Sequence, residues 1–385
     1  MQKSRLIAIG FLVLCGLIVG AVSQGWIGAN APLAMFPTAV PGTPNPKDVV
    51  TIDVVYSTEK KQWLTEAVAR WEATNPQVDG RLIRVNLTSE GSQTIVAQLS
   101  AGTLKPTAIS PASTLQITQI NAATIANKTN IAQNSQPLVF TPLVLVAFRN
   151  TAADALQADA TLWMMVHQQV NIAERSKKLL FGQTSPVSSN SGMQTLLLMA
   201  YAYHNKTSGL SPADINDPAF QQWLGDYVTN VEKFGDSTGT FMEDMIRFGA
   251  SKYNAAAVYE STAIENIGRA ANRFAELRII YPPANLWSDH PFAVLDAPWV
   301  SAQQRDAAVQ LRTFLLATEQ QQAALGFGFR PADASIVLDS ADSPFVRYTQ
   351  YGVQTKIDTL VADPSAETIT ALLELWRTLE PQVRR

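Results

Sequence analysis

From Val49 onward the chain alternates strand, helix, strand, helix, strand, and that alternation restricts it to a small set of folds. Val49 to Tyr56 is β-branched and apolar apart from Asp53, the pattern of a strand buried on both faces of a parallel sheet. Ser57 follows at an N-cap position. Trp63, Leu64, Ala67, Val68 and Trp71 then recur along one helical stripe until Asn75-Pro76 stops it. Leu82 to Leu87 alternates as a second strand, the turn Thr88-Ser89-Glu90-Gly91-Ser92 leads into a helix through Leu99, and Gly102 ends that helix. Thr107 to Ile109 is a short third strand. Repeated β-to-α units predict a parallel α/β sheet with right-handed crossovers, in which ligands gather at the carboxyl ends of the strands.

A second α/β unit follows. Leu138 to Phe148 is a strongly apolar strand, Leu179 to Phe181 another, and the loop Thr184-Ser185-Pro186-Val187-Ser188-Ser189-Asn190-Ser191-Gly192 starts a long apolar helix from Met193 to His204. Helices over Phe220 to Phe234 and Phe241 to Phe248 precede strands at Ala255 to Tyr259 and Leu277 to Tyr281. After Pro282-Pro283 come a strand at Phe292 to Leu295, a helix from Ala302 to Ala317, the stretch Gly326-Phe327-Gly328-Phe329-Arg330-Pro331, and a closing helix from Ala366 to Leu379. No stretch repeats with a period of ~20–50 residues, so a solenoid is excluded.

The first residues carry a different message. Lys3 and Arg5 precede an unbroken apolar run from Leu6 to Val22, the layout of an export signal. The run exceeds the ~7–15 residues of a cleavable apolar core and just reaches the ~17–25 that span hydrocarbon. Ala21-Val22-Ser23 suits a signal peptidase, whereas Trp26 sits where an aromatic marks the interface of a retained helix. Both outcomes stay open for residues 1–27. The Pro-, Ala- and Thr-rich spacer over 28–48 is a stiff tether, which favours the retained anchor. Cys15 follows Leu12-Val13-Leu14 rather than a small residue, so it reads as apolar filler and not as a lipidation site. Being the single cysteine, it forms no disulfide within the chain, and a body of this size is held by its core alone.

A net charge of −3, with no Lys/Arg cluster interleaved with aromatics, argues against a nucleic-acid surface. His167, His204 and His290 stand far apart with no second His or Cys at ligand spacing, so no metal site is expected and each histidine reads as a packing or surface residue. No cofactor motif occurs. Asp289-His290-Pro291 has only Ser288 as a nearby nucleophile, and neighbours on an extended chain point apart, so the string reads as a turn. With no nucleophile elbow either, no catalytic residues are assigned and the chain is not read as an enzyme.

Thr184 to Gly192, Asp236-Ser237-Thr238-Gly239, Ala257-Val258-Tyr259-Glu260, Trp287-Ser288-Asp289-His290-Pro291 and Gly328-Phe329-Arg330-Pro331 together resemble bacterial extracellular solute-binding proteins, over residues ~49 to ~345. The likeness is strongest to the molybdate-binding-like branch, whose members often carry a von Willebrand factor A domain. That domain's Asp-x-Ser-x-Ser motif is matched poorly by Asp339-Ser340-Ala341-Asp342-Ser343, so the sequence reads as the binding module alone. The resemblance implies a two-lobe, type II periplasmic-binding-protein (Venus-flytrap) α/β fold. It places 49–139 and 282–385 in lobe 1 and 140–281 in lobe 2, with crossings near Phe140 to Phe148 and Leu277 to Tyr281. It also implies a ligand held by Ser57, Ser92, Ser188, Ser189, Ser237, Thr238 and Tyr259. Each of these is a neutral donor at a strand end or helix N-terminus, where an anion is favoured without any Arg or Lys. Gly91 and Gly192 would let backbone come close. Taken singly, Ser57, Ser92 and Ser188 are ordinary N-caps, Tyr259 a packed aromatic, and Ser237-Thr238-Gly239 a turn. Arg330 is expected in a salt bridge within a packed turn.

The function so implied is extracytoplasmic capture of a small polar ligand, an oxyanion being preferred, for the membrane permease of an ABC-type importer. The chain would act as a monomer, periplasmic or secreted or held at the cell membrane by its N-terminal helix. The alternative is a flytrap sensor or scaffold that works with a von Willebrand factor A-type partner and has an open or degenerate cleft.

Overall fold

The structure, a computed structural model, describes residues 48–271 and 276–380. The expected signal or anchor and nearly all of the expected spacer lie outside the described residues. Among the described residues no helix is long and apolar enough to cross a membrane.

The pattern from Val49 becomes β1 (Val49–Ser57). The helix α1 (Lys61–Ala73) and the short β2 (Gln77–Val78) follow, and then β3 (Arg81–Glu90), which pairs parallel with β1 from Val49↔Leu82 to Ser57↔Glu90. The helix α2 (Ser92–Ser100) leads to β4 (Ala108–Ser110), parallel to β1 on its other side, and then to α3 (Thr114–Ala122). Burial on both faces explains the near-continuous apolar run of β1. Val50, Ile52 and Val54 pack on Trp63, Leu64, Ala67 and Trp71 of α1, whereas Val55 faces Ile95, Leu99, Ile117 and Ile120 of α2 and α3. Ser113 caps α3 in a capping box closed by Gln116.

After β5 (Ser135–Pro137), the ten-residue β6 (Val139–Phe148) carries the chain from one core to another. Leu138 and Val139 belong to the core under the first sheet, whereas Leu143, Leu145 and Ala147 belong to the core beneath a second. That second body continues with α4 (Leu162–Val170), β7 (Phe181–Thr184), α5 (Asn190–Tyr203), α6 (Pro212–Ile215), α7 (Pro218–Asn230), β8 (Lys233–Gly235), α8 (Thr238–Phe248), β9 (Ala255–Tyr259) and α9 (Glu260–Ala271). The chain returns along β6 itself. First β10 (Leu277–Ile280) pairs antiparallel with Leu145–Phe148, then β11 (Trp287–Ser288) with Thr141 and Pro142, and β12 (Pro291–Val294) enters the first sheet between β4 and β5. The sheets run β2-β3-β1-β4-β12-β5 and β10-β6-β9-β7-β8. The two expected crossings are therefore hydrogen-bonded neighbours. This is the two-lobe α/β architecture that the resemblance implies.

Helices α10 (Ala302–Leu315) and α11 (Thr318–Gly326) cover the first sheet, and β13 (Arg330–Pro331) pairs with Val139 and Phe140 at the start of β6. After α12 (Pro344–Arg347), the closing helix α13 (Ala366–Leu379) departs from expectation. Expected with the first lobe, its Ile369, Leu372, Trp376 and Leu379 instead share a core with Leu197, Phe220, Leu224 and Tyr227 of α5 and α7. Its apolar stripe requires a partner surface, but the stripe alone does not say which one.

Candidate functional site

The carboxyl end of β1, the N-termini of α2, α5 and α8, and the end of β9 meet along one buried seam between the sheets. At the α2 end, Gly91 is extended (φ −67°), and the N–H groups of Gln93 and Thr94 both donate to the Ser188 carbonyl, at 3.1 and 3.3 Å. A side chain at Gly91 would collide with that oxygen and crowd the Asp236 carbonyl. Gly192 is likewise hemmed in, by the Thr184 carbonyl. Both glycines admit backbone, as expected, but the backbone is the protein's own. The open N–H groups of α2 go to a carbonyl from the opposite body, and so do not stand free for an anion.

Each expected residue already has partners. Ser92 Oγ accepts from the Ala112 N–H at 3.0 Å, and Ser188 Oγ donates back to Ser185 O at 3.3 Å. Ser237 Oγ bonds Thr240 Oγ1 at the start of α8. Four hydroxyls form a cluster where α5 and α8 begin. Thr184 and Ser191 lie 2.7 Å apart, Ser191 and Thr238 2.6 Å, and Ser189 reaches Ser191 at 3.3 Å and Thr238 at 3.4 Å. Tyr259, 1% exposed at the end of β9, accepts from Asn190 Nδ2 at 3.0 Å. Burial first, and the Glu59 charge second, push its phenol well above the ordinary value, so it stays a hydroxyl. Asn190 links the bodies, donating also to Ser288 Oγ at 3.1 Å and accepting from Gln116 Nε2 at 3.0 Å.

The centre of the seam holds three charged or chargeable groups, Glu59, Lys60 and His290, none of them among the expected ligand-binding residues. Lys60 is fully buried in the 3-10 turn Thr58–Lys60 directly after β1. Its Nζ reaches Ser57 Oγ, His290 Nδ1 at 3.0 Å, Pro111 O at 3.3 Å and Glu59 Oε1 at 3.6 Å. Glu59 Oε1 also accepts from Ser57 Oγ and lies 3.2 Å from His290 Nδ1. A neutral imidazole cannot use one nitrogen both to accept from Lys60 and to donate to Glu59, and His290 Nε2 is buried with no partner among the described residues. Burial raises the Glu59 carboxyl, but the Lys60 charge and hydrogen bonds from His290 and Ser57 outweigh it and hold the group at about 2. Burial lowers Lys60 to about 8 despite the pull of Glu59 and Asp289. Burial, then Lys60, lowers His290 to about 4, so the ring is neutral near pH 7.

A lysine, Lys60, joins the serines in the seam. His290 is a buried packing residue as read, edge-on to Tyr259 at 5.8 Å and to Phe329 at 5.4 Å, and with its left-handed φ of 41° it also belongs to the central charged cluster. Asp289 does more than turn the chain, because its carboxylate accepts from the Thr114 N–H at 2.7 Å and from the Thr114 hydroxyl at the start of α3. The signal for Lys60 was present, since the stripe Trp63, Leu64, Ala67, Trp71 extended back one turn lands on it. His167 and His204 do pack as read, His167 stacked on Trp223 at 4.4 Å and His204 edge-on to Tyr203. Arg330 forms the expected salt bridge, donating from Nε and Nη2 to the buried Glu260 at 2.8 and 2.7 Å. Among the described residues no group of three or more His, Cys, Asp or Glu could hold a metal ion.

A family model described as bacterial extracellular solute-binding protein matches residues 52–330. No curated protein sequence matches the chain. Among solved structures, the sulfate-binding protein SubI from Mycobacterium tuberculosis aligns with TM-score 0.53 at 16% identity, over 87% of this chain and 100% of that one. A periplasmic thiamin binding protein aligns with TM-score 0.59 at 12% identity, over 87% and 96%. The ferric binding protein from Campylobacter jejuni aligns with TM-score 0.54 at 12% identity, over 87% and 100%. At these identities the likeness speaks for the two-lobe periplasmic-binding-protein fold.

Proposed function

Because the chain belongs to the bacterial extracellular solute-binding protein family, we propose that it captures a small polar solute in the seam, outside the cytoplasm, and presents it to an ABC-type permease without covalent chemistry. The observation that carries this reading is the convergence of Ser57, Ser92, Ser188, Ser189, Ser237, Thr238 and Tyr259 on one seam between bodies joined by β6 and its antiparallel neighbours. A pair of adjacent strands is a natural hinge, and solute contacts made on both sides would favour the closed arrangement.

We assign 49–139 and 282–331 to one lobe and 140–281 to the other, with the closing helix riding on the second. Ser57, Ser189, Thr238 and Tyr259 would face the solute, while Ser92, Ser188 and Ser237 would shape the backbone around it. The N-terminal run would tether or export a monomeric body. An oxyanion, the class preferred from sequence, would have to displace the Ser188 carbonyl from α2 and the Glu59 carboxylate from Lys60, and both contacts weigh against it. The same contacts favour a second reading, a scaffold whose seam is filled by its own side chains and which works with a von Willebrand factor A-type partner.

Thermal unfolding of the full-length chain in detergent, screened against oxyanions, sugars, amino acids and amines, separates the two. A bound solute stabilises by about 2.7 kcal/mol at a hundred times its Kd. A solute that raises Tm in the wild type and less in Tyr259→Phe supports capture. Silence across all classes supports the scaffold.

A further inference from the structure

At one side the seam opens to solvent through a groove of about 510 Å³, lined from the first body by Thr58, Glu59, Gln62 and Ser89 and from the second by Glu243, Thr262 and Glu265 among others. A second cavity of about 530 Å³ shares Thr58, Ser89, Thr240 and Glu243 with it and adds Glu90, Asp236 and Asp244, so the acidic lining is continuous. Lys61, Arg269 and Lys233 are the cationic side chains along the two. Two of these are already engaged, Lys233 facing Asp244 at 3.9 Å and Arg269 donating to Asn266 Oδ1 at 2.7 Å. Glu59 is committed to Lys60, and Glu66 lies 3.9 Å from Arg70. Glu243 and Glu265, projecting from α8 and α9, form no ion pair among the described residues.

An independent observation singles out the same stretch. Thr262 lines the groove and is 3% exposed, yet its Oγ1 is buried with no hydrogen-bond partner among the described residues. A buried hydroxyl without a partner costs about 1–3 kcal/mol, and such a group in a folded protein calls for an explanation. Glu265 is exposed as a whole, yet desolvation holds its carboxyl above the ordinary range, against the pull of Arg269 and with a smaller push from the like charge of Glu243. Two carboxylates that repel, beside a hydroxyl able to accept, match a ligand that brings positive charge and N–H donors together.

We propose that this groove is the entry and recognition site for a small organic cation bearing primary ammonium groups, held by Glu243 and Glu265 with Thr262 Oγ1 accepting an N–H. The proposal rests on the solute-capture reading and gives its solute a chemical class. Because Gln62 and Ser89 belong to the first body and Glu243 and Glu265 to the second, one cation bridging them draws the lobes together. Neutralising the groove on binding also makes the affinity sensitive to salt, since its partners are exposed carboxylates.

The test uses the full-length chain in detergent with 1,4-diaminobutane, tetramethylammonium and sulfate as separate probes, read by calorimetry and by Tm. The expected result is saturable diamine binding that weakens at least tenfold in Glu243→Gln/Glu265→Gln and severalfold in Thr262→Val. It should be unchanged in Glu319→Gln, a carboxylate that does not line the groove. Tetramethylammonium, which has no N–H, should bind more weakly than the diamine. Diamine binding that the double variant leaves intact overturns the proposal, as does equal binding of the two cations. If sulfate or a neutral solute binds instead and Tyr259→Phe weakens it, the cation assignment fails while solute capture stands. If no probe and no solute class binds, both fall.

Discussion

Two buried ionic groups lie close to the crossing strands, and they are built differently. At Arg330–Glu260 the available bonding is used. The guanidinium gives two bonds to the carboxylate and further bonds to the Thr355 and Gln354 carbonyls at 2.7 Å each, while Tyr281 donates to Glu260. That group clips the C-terminal segment to the second body. At Glu59–Lys60–His290, two partners compete for one imidazole nitrogen and the other nitrogen has none among the described residues. A satisfied pair is a fastening. An unsatisfied one at a ligand-collecting strand end is poised to change partners, and perturbed groups of that kind cluster where proteins act.

The comparison can be broken most forcefully at the fastening. Glu260→Ala strands a buried guanidinium and is expected to cost about 3–5 kcal/mol in urea unfolding. A loss no larger than that of an exposed ion pair would show the clip to be ornamental.

Acid should act on the other cluster. His290 titrates near 4 when folded and near its ordinary value when unfolded, so between those values the unfolded chain binds the extra proton. Stability is therefore expected to fall as pH drops from about 6.5 towards about 4, by up to about 1.4 kcal/mol per pH unit. Glu59, whose folded value is depressed, adds a loss of the same sign as pH falls further through the carboxylate range towards about 2. A His290→Gln variant should flatten the upper part of this profile, and a profile unchanged by that substitution would remove His290 from the account.

Gly91→Ala comes next. Its backbone is compatible with any residue, so the whole effect is the collision with the Ser188 carbonyl, about 1–3 kcal/mol in unfolding experiments. The smallest effect is expected of Glu59→Gln/Lys60→Met together. Removing the buried charges as a set should leave stability within about 1 kcal/mol, whereas either single change costs more because it leaves its partner unpaired. A double-mutant cycle reads the difference.

Much of the fold was legible because burial writes itself into spacing. The apolar run from Val49, the stripe from Trp63 to Trp71, the strand at Ala255 to Tyr259 and the helix from Ala366 to Leu379 all form where the pattern places them. The short strands β5, β11 and β13 were not legible, since two or three residues have no period to read and owe their conformation to pairing with a neighbour. The serines and Tyr259 came as a group from the family resemblance, and their places at strand ends and helix starts fit it without requiring it. Lys60, Glu59 and His290 were not legible as a group, because a lysine is expected in water and an isolated histidine carries no spacing signal. The docking of α13 on the second body is a tertiary choice among apolar faces, and local sequence does not record it.

The central claim is that this seam is where the solute is held and that the lobes must close on it. Gly91→Trp wedges the seam at the contact between α2 and Ser188 while leaving each body's core untouched. The most direct measurement is the solute-induced rise in Tm for the wild type and for this variant, with circular dichroism confirming equal helix content. The account predicts a clear rise in the wild type and none in Gly91→Trp. An undiminished rise in the wedged protein would place the solute elsewhere and contradict it.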